Sequence, residues 1–514
     1  MNKIEIWNQP ELVINRIKNW IKRQRWAGLQ NIENFDILID DWLIFENNNK
    51  YKIIGYFFII NKIEESKKIQ ISRIFLPFLF YFDKKLIEFE PDIVIKNELE
   101  QLFLIQAEYS SHYLSLIIKN MEENLIIVTN KKKEISFSSK DPTIKSLLNE
   151  FRIKDFNKGQ TTNFLLKLLS NKEEFILKCY RKMAYNPEPI FLIDLFKNGF
   201  ENIINPIAVC EYRDNYNIPL YLISDFINFK SDLGLKYWNN LNDYLQNGVF
   251  QKTKKDLIKL NESLVDLIIR FHYNSFDLDN KNKKLENFSK NDSLFFNNAI
   301  KKIFNYLIST NSIKAMKYNN LLIEKISQIE NLFNNLPLFI DWYKIRVHQD
   351  LHLGQILIEK ESNKLIITDF EGDPNRPESE KDKKDLIFRD LASVITAFFY
   401  IKQNLIKKNF ENVKILDLYL ESTKIKDEIL INFLEKSKIW IQTVINDFIK
   451  SYYEKLDIIF KDELKNKNFD NFKTGILIYT YERIIREIYY EIKFRTENLE
   501  IPLSILFILN EISF

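Results

Sequence analysis

The sequence predicts an α+β protein in three parts, and three observations carry that prediction. Residues 35–95 hold long runs of Ile, Phe and Tyr broken by Asn and Lys clusters, the pattern of an antiparallel meander. Residues 163–228 repeat strand-type patterning around one helix-type stretch. Beyond about Asn228 almost every segment has helical apolar spacing, with a single hairpin-like interruption at residues 348–374. At 514 residues the chain exceeds what one hydrophobic core usually holds, so two or three domains are expected.

Taken in order, residues 1–34 predict a helix with Ile and Trp at helical spacing, closing near "RQRWAG" (Arg23–Gly28). The runs "FDILIDDWLIFE", "YKIIGYFFII" and "IQISRIFLPFLFYF" predict the strands of the meander, and residues 97–120 predict a helix. "NFLLKLLS" and "FILKCYRK", joined by the turn "NKEE", predict a hairpin. Asn186–Phe200 predicts a helix, with Pro187 near its start and Gly199 near its end. "PIAVCEY" and "PLYLISDFI" read as two further strands. The expected divisions are a cap over 1–98, an intermediate subdomain over 99–228 and a helical part over 229–514.

Bulk composition excludes several classes. Hydrophobic residues make up 46% and charged residues 28%, as in ordinary soluble globular proteins, and 14% aromatic content excludes a disordered chain. The 74 basic and 71 acidic residues leave a net charge of +3, which gives no reason to expect nucleic acid or a membrane as partner. Only Cys179 and Cys210 are present, both in apolar surroundings, so a disulfide framework is excluded. The N-terminal stretch lacks an apolar signal core, and the longest apolar run (Ile74–Phe82) is too short to span a bilayer. A cytoplasmic monomer is the expectation.

The chemistry concentrates in "HQDLHLGQILIEKESNKLIITDFEGDP" (His348–Pro374). "QILIEK" and "KLIITDF" predict a hairpin that brings Gln355 and Asp369 to one end, beside Asp350. Protein kinases place a base Asp and a metal-binding amide five residues apart, followed by a metal-binding Asp in D-F-G. Here Asp350 and Gln355 have that offset, and Asp369-Phe370-Glu371 stands in the D-F-G place. Phosphoryl transfer needs hard oxygen ligands for Mg²⁺ and a separate carboxylate for the attacking hydroxyl. A zinc site from His348 and His352 fits poorly, because Asp350 is not where H-E-x-x-H wants its Glu and no third histidine is near. The last two parts of the chain thus match a bilobal protein-kinase-like fold, with a β-rich N-lobe, a large helical C-lobe, and a nucleotide cleft near Asp225–Asn228. Lys178 is the candidate for the ATP phosphates and Lys167 its competitor. "NKGQTTN" (Asn157–Asn163), with Gln160 and Thr161, is the candidate phosphate-covering turn, and Asp225 and Ile227 are candidate ATP contacts.

These motifs resemble those of the maltokinases, a family of aminoglycoside phosphotransferase-like kinases, over nearly the whole chain. "RQRWAG", "GQTTN", "LKCYRK…NPE", "HQDLHLGQ", "DFEGDPNRP" and "RDLAS" are similar to its motifs in the same order. "ERIIREIYYEIKFRTENLEIPL" (Glu482–Leu503) resembles its C-terminal motif. The resemblance implies an N-terminal cap subdomain and an ATP-dependent, Mg²⁺-requiring kinase that makes maltose 1-phosphate. That product feeds a maltosyltransferase building α-glucan, with trehalose synthase as a second pathway partner. It also implies Asp350 as base, with Gln355, Asp369 and Glu371 on the metal and Lys178 on ATP. His352, Arg483, Arg486 and Tyr490 would contact the sugar, while His348, Gly354 and Gly372 would support the loops. The chain departs from the family in four places. Gln349 replaces a glycine, Arg483 a lysine and Arg486 a tyrosine. The helix glutamate expected to pair with Lys178 falls on Ile190, leaving Glu188 or Asp194. The alternatives are a related sugar or aminosugar kinase, such as a glucosamine kinase, and a pseudokinase that binds nucleotide or glycan without turnover. His272 is expected to be a packed helix residue.

Overall fold

The computed structural model describes the chain apart from residues 1–9, 30–31, 49, 65–66, 82–94, 98–101, 149, 157–162, 172, 249, 311–312, 314–316, 375, 411–412, 422–424, 462–463 and 510–514. The chain forms two compact units, residues 1–193 with 204–227 and residues 194–203 with 228–514.

In the first unit, helix α1 (Pro10–Arg23) precedes the meander β1 (Phe35–Asn47), β2 (Tyr51–Glu64) and β3 (Lys67–Tyr81). Two short strands, β4 (Ile95–Asn97) and β5 (Leu102–Gln106), complete a sheet of order β1-β2-β3-β5-β4. Period-two alternation sends Ile54, Tyr56 and Phe58 of β2 to one face, where Val13, Ile17 and Trp20 of α1 cover them. Ile53 and Phe57 go to the other face and share a core with a second sheet. Burial of both faces explains why β2 reads as an almost unbroken apolar run. Gly55 sits where the sheet packs tightest: a Cβ there would lie 2.8 Å from the Phe75 ring and 2.9 Å from the Leu43 and Phe45 side chains.

The second sheet has the order β6-β7-β11-β12-β10-β9-β8. Its strands are β6 (Ile126–Val128), β7 (Glu134–Ser139), β8 (Phe151–Asp155), β9 (Phe164–Ser170), β10 (Glu174–Cys179), β11 (Pro206–Arg213) and β12 (Asn217–Asp225). The expected hairpin is the antiparallel pair β9–β10, and α3 (Glu188–Lys197) follows it. One expectation is corrected: residues 97–120 are not one helix. The run Leu102–Gln106 is a strand on the edge of β3, and the helix, α2, spans only Ser111–Glu122. Five residues are too few to nucleate a helix, whereas the edge of β3 offers ready hydrogen bonds. Within this unit the buried Arg181 guanidinium binds Glu108 and donates to Gln106 Oε1 at 2.9 Å. It lies 5.8 Å from the Trp26 ring, which gives "RQRWAG" a packing role. Both cysteines are buried and free.

The second unit is mostly helical. Strand β13 (Phe229–Asp232) leads into α4 (Leu233–Asn247), α5 (Phe250–Lys281), α6 (Lys290–Ser309) and α7 (Asn319–Leu332). A two-residue pairing joins β14 (Glu286–Asn287) to β15 (Tyr343–Lys344). The expected hairpin is present as β16 (Ile356–Glu359) and β17 (Leu365–Ile367), with β13 on the outer side of β16. After it come α8 (Glu378–Lys381), α9 (Phe388–Asn409), α10 (Ile415–Leu420), α11 (Glu428–Glu454), α12 (Asp457–Phe460), α13 (Phe469–Phe494) and α14 (Glu500–Ile508). Helix α9 is central, and α13 packs along it. Their approach depends on Gly475, where a Cβ would overlap the Phe388 ring. Gly475→Ala is therefore expected to destabilise the protein by about 1–3 kcal/mol, read as a lower denaturant midpoint. Among the described residues, no helix is long and apolar enough to cross a membrane.

Candidate active site

The loop from His348 to Gln355 is held from below by Asp390, in the first turn of α9 and fully buried. Its carboxylate accepts the backbone N–H groups of His348 (2.9 Å) and Gln349 (2.8 Å). A third contact joins it to His272 Nε2 at 3.1 Å, and His272 Nδ1 meets the Tyr452 hydroxyl at 2.6 Å. A buried carboxylate this well satisfied is a rigid platform. His272 is thus a packed residue with a structural hydrogen-bond role. His348 Nε2 donates to the Thr368 carbonyl at 2.9 Å, and its ring packs 4.8 Å from Phe370. This ties the loop to the segment that leads from β17 to Asp369.

The hairpin register then brings the two ends together. Ile356 faces Ile367, so Gln355 and Thr368 flank the same end, and Thr368 N–H donates to the Gln355 carbonyl at 2.9 Å. The Gln355 amide donates to Asp369 Oδ2 at 2.9 Å. Asp369 has φ +66°, a left-handed conformation that Asp tolerates better than most residues. Carboxylate oxygens of Asp369 and Glu371 lie within 4.8 Å of each other. Carboxylates with an amide oxygen beside them are hard donors, and this set fits Mg²⁺ by chemistry.

Asp350 opens on a cavity of about 560 Å³, inside the range of small-ligand sites. His352, Arg483, Glu487, Tyr490 and Glu491 also line it, as does Asp232, which caps α4 by accepting from Leu235 N–H. Arg483 is fully engaged: Nη2 donates to Asp350 Oδ1 at 2.6 Å, Nε to Glu487 Oε1 at 2.7 Å, and Nη1 to the Gln349 carbonyl at 3.5 Å. Burial alone would lower the Arg483 pKa, and the Asp350 and Glu487 carboxylates outweigh it and raise it well above its ordinary value. His352 caps the short turn at Leu353–Gln355 by accepting from Gly354 N–H at 3.2 Å.

Arg486, expected on the sugar, is instead placed in a charge cluster and does not line that cavity. Its Nε donates to the buried Glu482, which also accepts from Arg389 Nη1 and from Arg376 Nη2 at 3.3 Å. Arg389 continues to Asp385 through Nε (2.9 Å) and Nη2 (2.8 Å). Burial would raise the Glu482 pKa, but Arg389, Arg486 and Arg376 together hold it far below the usual carboxylate range. The cluster joins the segment after Asp369–Gly372, the start of α9 and the middle of α13.

In the first unit, Lys178 on β10 donates to Glu188 Oε2 at 2.6 Å, and the Tyr180 hydroxyl donates to the same oxygen at 2.6 Å. Glu188 is the first residue of α3 and only 1% exposed. The open choice of partner is resolved: Asp194 pairs with Arg346 instead, at 2.9 Å. Lys167 pairs with Glu174 at 2.8 Å and lies over the Phe226 ring. Asp225 ends β12, where burial pushes its pKa up to about 6. Ile227 closes the unit, half-buried. Gln160 and Thr161 lie outside the described residues.

Sequence reasoning missed Asp390, Glu487 and the Glu482 cluster. Glu487 carried a signal, since it lies four residues beyond Arg483 on one helix face. No family model matches the sequence. Among solved structures, a glucosamine kinase in complex with glucosamine, ADP and inorganic phosphate aligns with a TM-score of 0.59 at 11% identity, covering 92% of this chain and 94% of that one. A second crystal form of a glucosamine kinase aligns at 0.60, again at 11% identity, over 94% and 95%. The likeness carries the fold: the chain has the bilobal protein-kinase-like architecture.

Proposed function

We propose that the chain is an ATP-dependent small-molecule kinase that phosphorylates a sugar hydroxyl. One observation carries this reading: Asp350 opens on a cavity with several charged side chains in its wall, while the adjoining hairpin holds Gln355 against Asp369. In the proposed reaction Asp350 orients the sugar hydroxyl and takes its proton. The sugar oxygen forms a bond to the γ-phosphorus, the bond from that phosphorus to the β–γ bridging oxygen breaks, and ADP leaves. Arg483 grips one Asp350 oxygen and fixes the carboxylate's orientation. Lys178, held by Glu188, is assigned to the ATP phosphates, and Asp225 and Ile227 to the rest of the nucleotide. Gln355, Asp369 and Glu371 would hold Mg²⁺, which when bound neutralises charge on the transferring phosphoryl group. The Lys178–Glu188 pair supports turnover over a pseudokinase.

Maltose, yielding maltose 1-phosphate for α-glucan synthesis, is the substrate that the sequence motifs favour. A second reading, an aminosugar, is favoured by the cavity wall. Four carboxylates line it (Asp232, Asp350, Glu487 and Glu491) against two guanidiniums (Arg483 and Arg495). An excess of negative charge suits an ammonium group. ADP release measured with maltose, glucose, glucosamine and maltotriose, with NMR of the product, separates the readings. Maltose is expected to turn over fastest. Preference for glucosamine would transfer the assignment to the aminosugar, and no turnover on any sugar would sink the kinase reading.

A further inference from the structure

Gln349 stands where the resembling family has glycine, and its backbone explains why glycine suits the place. Its φ is +70°, in the left-handed region, which costs an ordinary residue about 1–2 kcal/mol. A glycine would keep the backbone bonds to Asp390 and Arg483 without that strain. The glutamine side chain must therefore do something glycine cannot.

That side chain is buried, only 2% exposed, and aimed at the segment beyond Asp369–Gly372. Its Nε2 donates to the Lys381 carbonyl at 2.9 Å and lies 3.4 Å from the carbonyls of Glu380 and Lys383. These carbonyls sit at and just beyond the end of α8; the Glu380 carbonyl already accepts from the Asp382 and Lys383 N–H groups, so the short bond to Lys381 is the main one. Oε1 accepts from Asp373 N–H at 3.5 Å. Gly372, at φ +77°, makes room: a Cβ there would lie 3.1 Å from Gln349 Oε1.

We propose that Gln349 is a positioning residue, whose buried amide fastens the loop bearing Asp350 to the segment following Asp369 and Glu371. The inference rests on the kinase reading only for its effect on turnover. Asp350 follows Gln349 directly, and Glu371 precedes Gly372 directly, so one side chain sets the spacing between base and metal carboxylates.

Gln349→Gly removes the amide and the strain together. Gln349→Asn accepts the left-handed backbone but is one methylene short of the α8 carbonyls. Both variants are expected to lose at least ~10-fold in kcat with the sugar KM within about 2-fold, because misplacement acts on the transition state. Thermal stability of Gln349→Gly should change little, since relieved strain offsets lost bonds. Hydrogen exchange across residues 371–383, followed by mass spectrometry, should accelerate in both. A merely structural role would lower Tm and leave kcat at 25 °C intact, and that outcome overturns the proposal. So does a kcat loss with unchanged exchange over 371–383. If the wild-type protein releases no ADP with any sugar, the kinase reading alone fails. The exchange measurement still decides then: protection equal to wild type in Gln349→Gly rejects the fastening.

Discussion

Asp350→Asn is expected to lower kcat by about 10²–10⁴-fold, with the sugar KM little changed. Asparagine has nearly the same shape, so the cavity wall and the Arg483 contact to Oδ1 survive as an amide oxygen facing a guanidinium. What disappears is the capacity to take up the hydroxyl proton. The measurement is ADP release under saturating ATP and sugar, with the fold verified by an unchanged denaturant midpoint. Activity within threefold of wild type would reject Asp350 as the base. A loss confined to KM would make Asp350 a binding residue instead.

How much of this was legible in the sequence depends on the range of the interaction concerned. The hairpin, and with it the meeting of Gln355 and Asp369, follows from two apolar runs and a polar turn, all local. Lys178 on its strand is equally local. The partner of Lys178 was open because the choice between Glu188 and Asp194 depends on where α3 starts. Its first residue is Glu188, held by Asn186 through the Glu188 N–H. Arg486 shows a sharper limit. Residues 483, 486 and 490 share a broad helix face, but at about 100° per residue Arg486 lies ~60° from Arg483, while Tyr490 lies ~20° away. That rotation suffices to move a guanidinium from the cavity to Glu482, and nothing in α13 itself says that Arg376 and Arg389 wait there. Asp390 was visible within "RDLAS" but silent, since its partners lie about 40 and 118 residues away. Gln349 looked anomalous until the backbone showed φ +70°.

Glu482→Gln is expected to cost about 3–5 kcal/mol, the range for breaking a buried ion pair by neutralising one partner. Glu482 is 1% exposed and accepts from three guanidiniums; once it is neutral, Arg389 keeps Asp385, and Arg376 keeps Asp373, Glu380 and Asp385 at 3.7–4.0 Å. The denaturant midpoint should fall with the slope unchanged. A pH series adds a second check. The folded carboxyl is held below its ordinary value of 4.5, so its stabilisation is fully present above that value and is lost as pH falls below it. The gap between wild type and Glu482→Gln should therefore be widest near neutrality and narrow in acid. A gap that stays constant from pH 7 to pH 3 would mean that the charge of Glu482 is not what holds the cluster. Because the same cluster ties Arg376, beyond Asp369 and Glu371, to the helix that carries Arg483, the variant should also lose turnover at temperatures where it remains folded. Retained kcat with reduced stability would confine Glu482 to the scaffold and leave the placement of Asp350 to Asp390 and Gln349.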